Sequence, residues 1–213
     1  MAVSAKKSPP MVFVVDDDDS VRGSLRFLLR SMGLESRVFG SAHEFLEAYD
    51  PSQPGCLVLD VRMPGMSGLE LQQELNLRGA IIPVIVITGH GDIPMAVEAM
   101  QHGAHDFLQK PFRDEDLIER VRRALAKDAE ARAALEEHKS IRSRLDSLTP
   151  RERQVLTLMA RGKPNKIIAH ELSVSQRTIE IHRARVMKKS GASSLAELVR
   201  MVMDADPGAA VNP

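Results

Sequence analysis

The chain of 213 residues contains one cysteine, one tyrosine and no tryptophan, and aromatic side chains make up only 3% of it. The single cysteine, Cys56, cannot form an internal disulfide. The longest apolar stretch, residues 80–88, is interrupted by Pro83 and is far shorter than the roughly 20 residues of a membrane span. No apolar signal segment follows the two lysines near the N-terminus. We therefore expect a soluble, cytoplasmic protein without a membrane partner.

A net charge of zero conceals a difference between the two ends of the chain. Residues 1–127 have a balance of −4, residues 128–147 of −1 and residues 148–213 of +5. An acidic first part and a basic last part predict two domains with different partners, the basic one suited to nucleic acid. Ordinary solvated surface charge would give the same charge balances. Sequence motifs must therefore decide whether the basic part binds nucleic acid.

Short apolar runs alternate with amphipathic segments as far as residue 125, which predicts an α/β domain. Five β-then-α units imply a doubly wound five-stranded parallel sheet with helices on both faces. The expected strands are Met11–Val15, Glu35–Phe39, Cys56–Leu59, Val84–Thr88 and His105–Leu108. The expected helices are Ser20–Met32, Ala42–Tyr49, Ser67–Leu77, Ile93–His102 and one that starts near Arg113. Asp92, followed by an early proline, is typical of a helix cap.

The segment from Asp114 to about Ser147 has neither glycine nor proline and is rich in strong helix formers. It predicts one long helix or two abutting helices. Its apolar edge is broken between Lys127 and Ala134, so no clean heptad repeat is present. A solvated helical linker over residues 128–147 and a short dimerising coiled coil are both open interpretations.

The last part of the chain predicts an all-α domain of four helices. Thr149, Pro150 and Glu152 fit a capping box with proline at the first helical position. The expected helices are Pro150–Arg161, Asn165–Leu172, Gln176–Ser190 and Ser194–Met203. The expected organisation of the chain, in order, is a disordered tail over 1–10, the α/β domain over 11–127, the linker, the helical domain over 148–204 and a disordered tail over 205–213.

Side chains suited to one phosphoryl-accepting site follow four of the predicted strands. Asp16 and Asp17 follow the first strand, Asp60 ends the third, Thr88 ends the fourth and Lys110 follows the fifth. Ligands bind at the carboxyl edge of open parallel sheets, where these side chains are expected to meet. Carboxylates suit a hard cation such as Mg²⁺, and the ammonium could neutralise phosphoryl oxygens. Asp60 is the candidate acceptor.

Two further acidic residues, Asp18 and Asp19, complete a run of four carboxylates. For these two we favour a capping role at the start of the first helix.

Residues 10–128 resemble the receiver domain of bacterial response regulators through Asp16-Asp17, Asp60, Thr88-Gly89, Phe107 and Lys110-Pro111. The resemblance implies a CheY-like strand order of 2-1-3-4-5 and an acyl phosphate at Asp60, with a histidine kinase as donor. It implies Mg²⁺ or Mn²⁺ bound by Asp17, Asp60 and the backbone carbonyl of Arg62, with Asp16 acting through water. No Gly-rich nucleotide motif is present, so ATP is not the expected direct donor.

The same resemblance implies a conformational switch. Thr88 would move toward the phosphoryl oxygens and Phe107 would turn inward, so that the helix 94–101 and the fifth strand form a dimer face. Without the resemblance, Phe107 would be an ordinary buried strand aromatic.

A helix-turn-helix pattern lies between residues 165 and 190. At 100° per residue, Ile179, His182 and Val186 share one face of the second helix and are expected to pack inward. The opposite face contains charged and small side chains, namely Arg177, Ile181, Ala184 and Lys188, flanked by Glu180 and Arg185. A basic outer face of this kind suits the DNA major groove.

Residues 148–152, 165–169 and 178–183 resemble the LuxR-type DNA-binding domain, and the whole chain is similar to the NarL/FixJ family, closest to its FixJ type. Pro164 departs from the broader domain, where a capping serine is usual. The resemblance places Glu180, Ile181 and Ala184 at base edges. It places five basic side chains on phosphates, namely Lys163, Lys166, Arg177, Arg185 and Lys188. The implied partners are a cognate histidine kinase, promoter DNA, RNA polymerase and, after phosphorylation, a second copy of the chain.

Two other functions fit parts of the pattern. A Mg²⁺-dependent phosphohydrolase with an aspartyl-phosphate commonly has a second Asp two residues after the nucleophile, where this chain has Arg62. A DNA-binding protein with a vestigial receiver would not need Asp17, Asp60, Thr88 and Lys110 together.

Overall fold

The computed structural model describes residues 8–89 and 93–205. The cap predicted at Asp92 lies outside these residues, as do the two predicted tails apart from residues 8–10 and Ala205. The chain forms two compact units that divide between Arg132 and Ala133. Within the described part, no helix is both long and apolar enough to span a bilayer.

The first unit contains a five-stranded parallel sheet in the order β2-β1-β3-β4-β5, which confirms the predicted topology. The strands are β1 (Met11–Val15), β2 (Ser36–Phe39), β3 (Gly55–Asp60), β4 (Val84–Thr88) and β5 (Asp106–Gln109). Its helices are α1 (Asp19–Ser31), α2 (Ala42–Ala48), α3 (Gly68–Leu77), α4 (Ile93–Gln101) and the start of α5 (Asp114–Asp146).

Alternate residues of each central strand enter two separate cores, one on each face of the sheet. On one face Leu57 and Leu59 pack with Phe45 and Leu71, from α2 and α3. On the other face Val58 packs with residues of α1 and α5. Burial on both faces explains why β3 is an almost continuous apolar run in the sequence.

Helix α5 is a single helix of 33 residues, so the first of the two helical expectations for this segment is confirmed. Leu117 and Val121 are buried in the core of the first unit, and Ile141 is buried in the core of the second. Leu135, between them, is 45% exposed. Residues of the predicted linker, 128–147, therefore belong to both units. The predicted bounds of the two domains stay predictions.

A buried ion pair fastens α5 to the start of β3. The Asp128 carboxylate accepts the backbone N–H of Gly55 at 2.9 Å and pairs with Arg132 Nε at 2.8 Å. The Arg132 guanidinium also donates to the carbonyls of Pro51 and Gln53, each at 2.9 Å. Because Asp128 is only 1% exposed, these contacts replace the water that its charge loses.

The second unit contains the last turns of α5 followed by α6 (Pro150–Ala160), α7 (Asn165–Glu171), α8 (Gln176–Ser190) and α9 (Leu195–Ala205). Its core includes Val155, Ile168, Val186 and Leu198, one from each of these four helices. The predicted capping box at the start of α6 is present, with both of its hydrogen bonds formed. Helices α7 and α8 form the predicted helix-turn-helix pair.

Candidate functional sites

Asp16, Asp60 and Lys110 meet at the carboxyl end of the sheet. Lys110 Nζ lies 2.6 Å from Asp60 Oδ1 and 3.0 Å from Asp16 Oδ2. The remaining oxygens accept backbone N–H groups, Asp16 Oδ1 from Asp18 at 2.9 Å and Asp60 Oδ2 from Arg62 at 2.7 Å. The two carboxyl groups are nearly buried, with Asp16 at 2% and Asp60 at 9% exposure. Both carboxylates are thus oriented by the backbone and share one ammonium.

The environment changes the proton affinity of both charged partners. Burial raises the pKa of Asp60, and the nearby Asp16 carboxylate adds to the rise, while Lys110 and the Arg62 amide oppose it. Burial by itself would lower the pKa of Lys110, but its hydrogen bonds to Asp60 and Asp16 outweigh that effect and raise it. Asp60 is therefore a more basic carboxylate than usual, held beside a cation.

The two residues predicted to act in a switch, Thr88 and Phe107, lie on β4 and β5. Thr88 ends β4 next to β3 and is 2% exposed, with its hydroxyl 3.4 Å from the carbonyl oxygen of Gly89. Phe107 is 42% exposed, so the alternative interpretation as an ordinary buried strand aromatic is wrong. The reason is that β5 is the edge strand and only Leu108 of it is buried.

The oxygen donors at this edge fit a hard divalent cation in their chemistry. Mg²⁺ is commonly held by one or two carboxylates and keeps several of its waters. Asp16 and Asp60 supply two carboxylates, and the adjacent Asp17 is exposed. Among the described residues, no three His, Cys, Asp or Glu side chains are grouped as a metal site. A bound ion would therefore depend on water and backbone oxygen as well as on side chains.

Two residues that support the site do not emerge from the sequence reasoning. Arg22 of α1 donates to the backbone carbonyl of Asp16 at 2.7 Å and to Asp19 at 2.9 Å. Gly68 approaches the end of β3 so closely that an added Cβ would lie 2.1 Å from the Asp60 carbonyl oxygen. The role of Arg22 was predictable in part, because an arginine three residues after an aspartate on a helix commonly pairs with it.

The capping role expected at Asp18 or Asp19 belongs to Asp18. Its carboxylate accepts the N–H groups of Ser20 at 2.8 Å and Val21 at 3.4 Å, and α1 begins at Asp19.

Helix α8 has the two faces that the sequence predicts. Ile179 and Val186 are buried, and His182 is half-buried. The residues predicted to face DNA are all exposed on α8, namely Arg177, Glu180, Ile181, Ala184, Arg185 and Lys188. On the preceding elements Lys166 is exposed, whereas Lys163 forms an ion pair with Glu171. A phosphate contact by Lys163 would have to compete with that pair.

Two family models match the chain in succession. Residues 12–122 match the response regulator receiver domain, and residues 146–202 match the bacterial regulatory proteins of the luxR family. The transcriptional regulatory protein FixJ of Azorhizobium caulinodans is 53% identical over 192 residues, covering 90% of this chain and 91% of FixJ. Nodulation protein W of Bradyrhizobium diazoefficiens is 51% identical, with coverages of 90% and 84%.

A solved structure of the response regulator StyR has a TM-score of 0.85 and 50% sequence identity to this chain. The match covers 92% of this chain and 98% of StyR. A receiver fold followed by a LuxR-type domain defines a DNA-binding transcriptional response regulator, a class of regulators and not of enzymes. The chain belongs to the NarL/FixJ family of these proteins, and it is FixJ-like.

Proposed function

We propose that Asp60 accepts a phosphoryl group from a cognate histidine kinase and that this acyl phosphate controls promoter binding by α8. The observation that carries the proposal is the contact of Lys110 Nζ with both Asp60 and Asp16 at the sheet edge. A buried carboxylate with a raised pKa next to a fixed ammonium is suited to attack a phosphoryl group.

In the proposed transfer, an oxygen of Asp60 forms a bond to phosphorus and the bond from phosphorus to the kinase's histidine nitrogen breaks. The electron pair of that bond stays on the imidazole nitrogen. Lys110 would hold a phosphoryl oxygen through its ammonium, and the Thr88 hydroxyl would approach another. The chain would catalyse only this transfer and a slow hydrolysis of its own acyl phosphate.

Asp16, Asp17, Asp60 and the backbone carbonyl of Arg62 would hold Mg²⁺ or Mn²⁺. When bound, the ion would screen the charge between the carboxylates and the incoming phosphoryl group. A role for the ion is supported by the two nearly buried carboxylates, which oxygen-seeking cations prefer as ligands.

Downstream of Asp60, the proposal includes a homodimer of the phosphorylated chain on α4 and β5. This face is supported by the exposed side chains of Val97, Met100 and Phe107, at 51%, 43% and 42%. Two copies of α8 would then engage paired half-sites of promoter DNA and act on RNA polymerase. Because chromosomal DNA is the proposed target, the expected location is the cytoplasm.

Asp60→Asn tests the proposal directly. Incubation of the full-length variant with acetyl phosphate and Mg²⁺ should give no phosphoryl adduct by intact-mass spectrometry, whereas the native chain is labelled. Phosphodonor-dependent promoter binding should be lost in the same variant. Asp50→Asn, at an exposed acid outside the site, should be labelled normally. Equal labelling of Asp60→Asn and the native chain would overturn the assignment.

A further inference from the structure

The C-terminal end of α8 is held by the last turns of α5. Arg144 Nη1 of α5 donates to the backbone carbonyl of Ser190, the last residue of α8, at 2.9 Å. Gly191 follows in the left-handed conformation with φ of 75°. A Cβ added at Gly191 would lie 2.8 Å from Arg144 Nη1, so the absence of a side chain there gives the guanidinium its room.

This contact satisfies a specific need of the helix end. The last four carbonyls of a helix have no partner within the helix, and the partial negative charge there attracts cations. Arg144 supplies both a donor and a charge. It also donates weakly through Nε to the Ser140 carbonyl at 3.4 Å and is half-buried, so its guanidinium is engaged within the protein.

A second cation fixes the same end from another direction. Lys189 of α8 contacts Glu152 of α6 at 2.7 Å and the carbonyl of Ser147 at 3.3 Å. The other end of α8 has a local cap, in which the side chain of Ser175 accepts the N–H of Thr178 at 3.1 Å. Helix α8 is therefore anchored to its neighbours at its C-terminal end, away from the start of its exposed face.

We propose that Arg144 is a positioning residue for DNA recognition. By fixing the end of α8 to α5, it sets the angle at which Glu180, Ile181 and Ala184 meet the base edges of a DNA duplex, without touching the DNA itself. The inference rests on the proposed function of α8 as the recognition helix. It assigns a role in sequence recognition to a residue outside the helix-turn-helix pair.

The test compares Arg144→Ala with the native full-length chain, both treated with acetyl phosphate. The probes are a duplex selected by the native chain from a random library and an unrelated duplex of equal length. Each Kd is measured at several salt concentrations. We expect about a tenfold loss on the selected duplex and little change on the unrelated one, because misreading a base pair weakens binding by roughly tenfold or more.

The salt dependence separates positioning from direct contact. Loss of a phosphate contact lowers the slope of log K against log salt by about 1 and weakens both duplexes, whereas a positioning role leaves the slope unchanged. Arg144→Lys should restore part of the discrimination because an ammonium can also donate to Ser190. Arg142→Ala, at an exposed arginine of the same helix, should behave as the native chain.

Arg177→Ala and Ile181→Ala show whether α8 reads DNA at all. If both leave binding unchanged, the proposed function of α8 fails. If they weaken binding, two results for Arg144→Ala overturn the positioning role. One is full discrimination between the two duplexes. The other is weaker binding to both duplexes together with a reduced salt slope of log K. Circular dichroism establishes that each variant is folded. If Arg144→Ala unfolds, Arg144→Lys takes its place in the test. Weaker discrimination by Arg144→Lys than by the native chain supports the positioning role, and unchanged discrimination contradicts it.

Discussion

Each unit of the chain contains a carboxylate in close contact with a lysine, and the two pairs have nearly the same geometry. Asp60 and Lys110 of the first unit are 2.6 Å apart, and Glu152 and Lys189 of the second are 2.7 Å apart. Their pKa values nevertheless move in opposite directions. The pKa of Asp60 is raised, whereas that of Glu152 is lowered from 4.5 to about 2.

The surroundings of the two carboxylates explain the difference. At Asp60 the largest effect is loss of water, and the Asp16 carboxylate adds repulsion that the shared lysine does not offset. Glu152 is only 2% exposed, yet the hydrogen bond from Lys189, followed by that from the backbone N–H of Thr149, outweighs its loss of water. No second carboxylate is among the causes of its shift.

The comparison shows that a short contact between opposite charges does not identify a stabilising ion pair. The Glu152 pair completes a helix cap and stabilises the second unit. The Asp60 cluster holds an ionised carboxylate in nearly buried surroundings that disfavour its charge. Such destabilised groups are common among reactive residues. Stability measurements on the two clusters can therefore test the assignment without any phosphodonor.

The largest expected effect follows from removal of the lysines. Lys110→Met leaves the nearly buried Asp16 and Asp60 without their shared cation and should lower the free energy of unfolding of the first unit by about 2 kcal/mol. Lys189→Met should cost less, because it removes the cation from a single carboxylate, Glu152, which keeps the hydrogen bond from the Thr149 N–H. Urea unfolding followed by the fluorescence of Tyr49, the single tyrosine, measures the loss in the first unit, and hydrogen exchange of peptides from α6 and α8 measures it in the second.

The matched control for Lys110→Met is Lys127→Met, which changes the same residue type at an exposed position of the first unit. Equal stability losses for Lys110→Met and Lys189→Met would contradict the distinction between the two clusters.

An intermediate effect is expected from Glu152→Gln, and it depends on pH. Because the pKa of Glu152 is lowered in the folded state, its contribution to stability is complete above pH 4.5 and is lost as pH falls toward 2. The native second unit should therefore lose stability through this window more steeply than Glu152→Gln. Hydrogen exchange of peptides from α6 and α8, measured by mass spectrometry between pH 6 and 2, follows this unit alone.

Glu197→Gln is a useful comparison, because Glu197 also caps within the second unit and has a lowered pKa through its bonds to Ser193. A constant gap between the native chain and Glu152→Gln over the whole range would show that the Lys189 contact does not act through ionisation.

Much of the fold follows from local patterns in the sequence. The strand β1 and the helix α8 have the predicted bounds, and the end of β3 differs by one residue. The meeting of Asp16, Asp60 and Lys110 was also predictable, because parallel strands that end together share one edge. The contact of Lys110 with both carboxylates was not predictable, because strand order does not determine side-chain conformation.

Other features depend on contacts between residues distant in sequence, and such contacts produce no periodic pattern in it. Periodicity shows that Ile141 belongs to an apolar edge, but not that the core of the second unit covers it. Arg144 and Ser190 are 46 residues apart, and no motif links them. For Phe107, apolar character alone indicates burial, whereas its position on an edge strand leaves it 42% exposed.

The smallest expected effect has the opposite sign to that of Glu152→Gln. Because the pKa of Asp60 is raised on folding, its favourable contribution exists below the ordinary value of 3.8 and is lost as pH rises through the folded pKa. At pH 7 the ionised group is a cost that Asp60→Asn removes, and the amide oxygen can still accept the Arg62 N–H. The first unit should gain about 0.5–1 kcal/mol, measured by urea unfolding with Tyr49 fluorescence.

The gain should shrink as pH falls through the raised pKa of Asp60, where the native carboxyl takes up its proton. Asp50→Asn serves as the control at an exposed acid whose pKa is lowered, so it should not stabilise the chain. A loss of stability in Asp60→Asn at pH 7 would mean that Lys110 offsets the burial of Asp60 fully. The two lysine–carboxylate pairs would then be equivalent in energy, and the raised pKa could no longer support Asp60 as the reactive group.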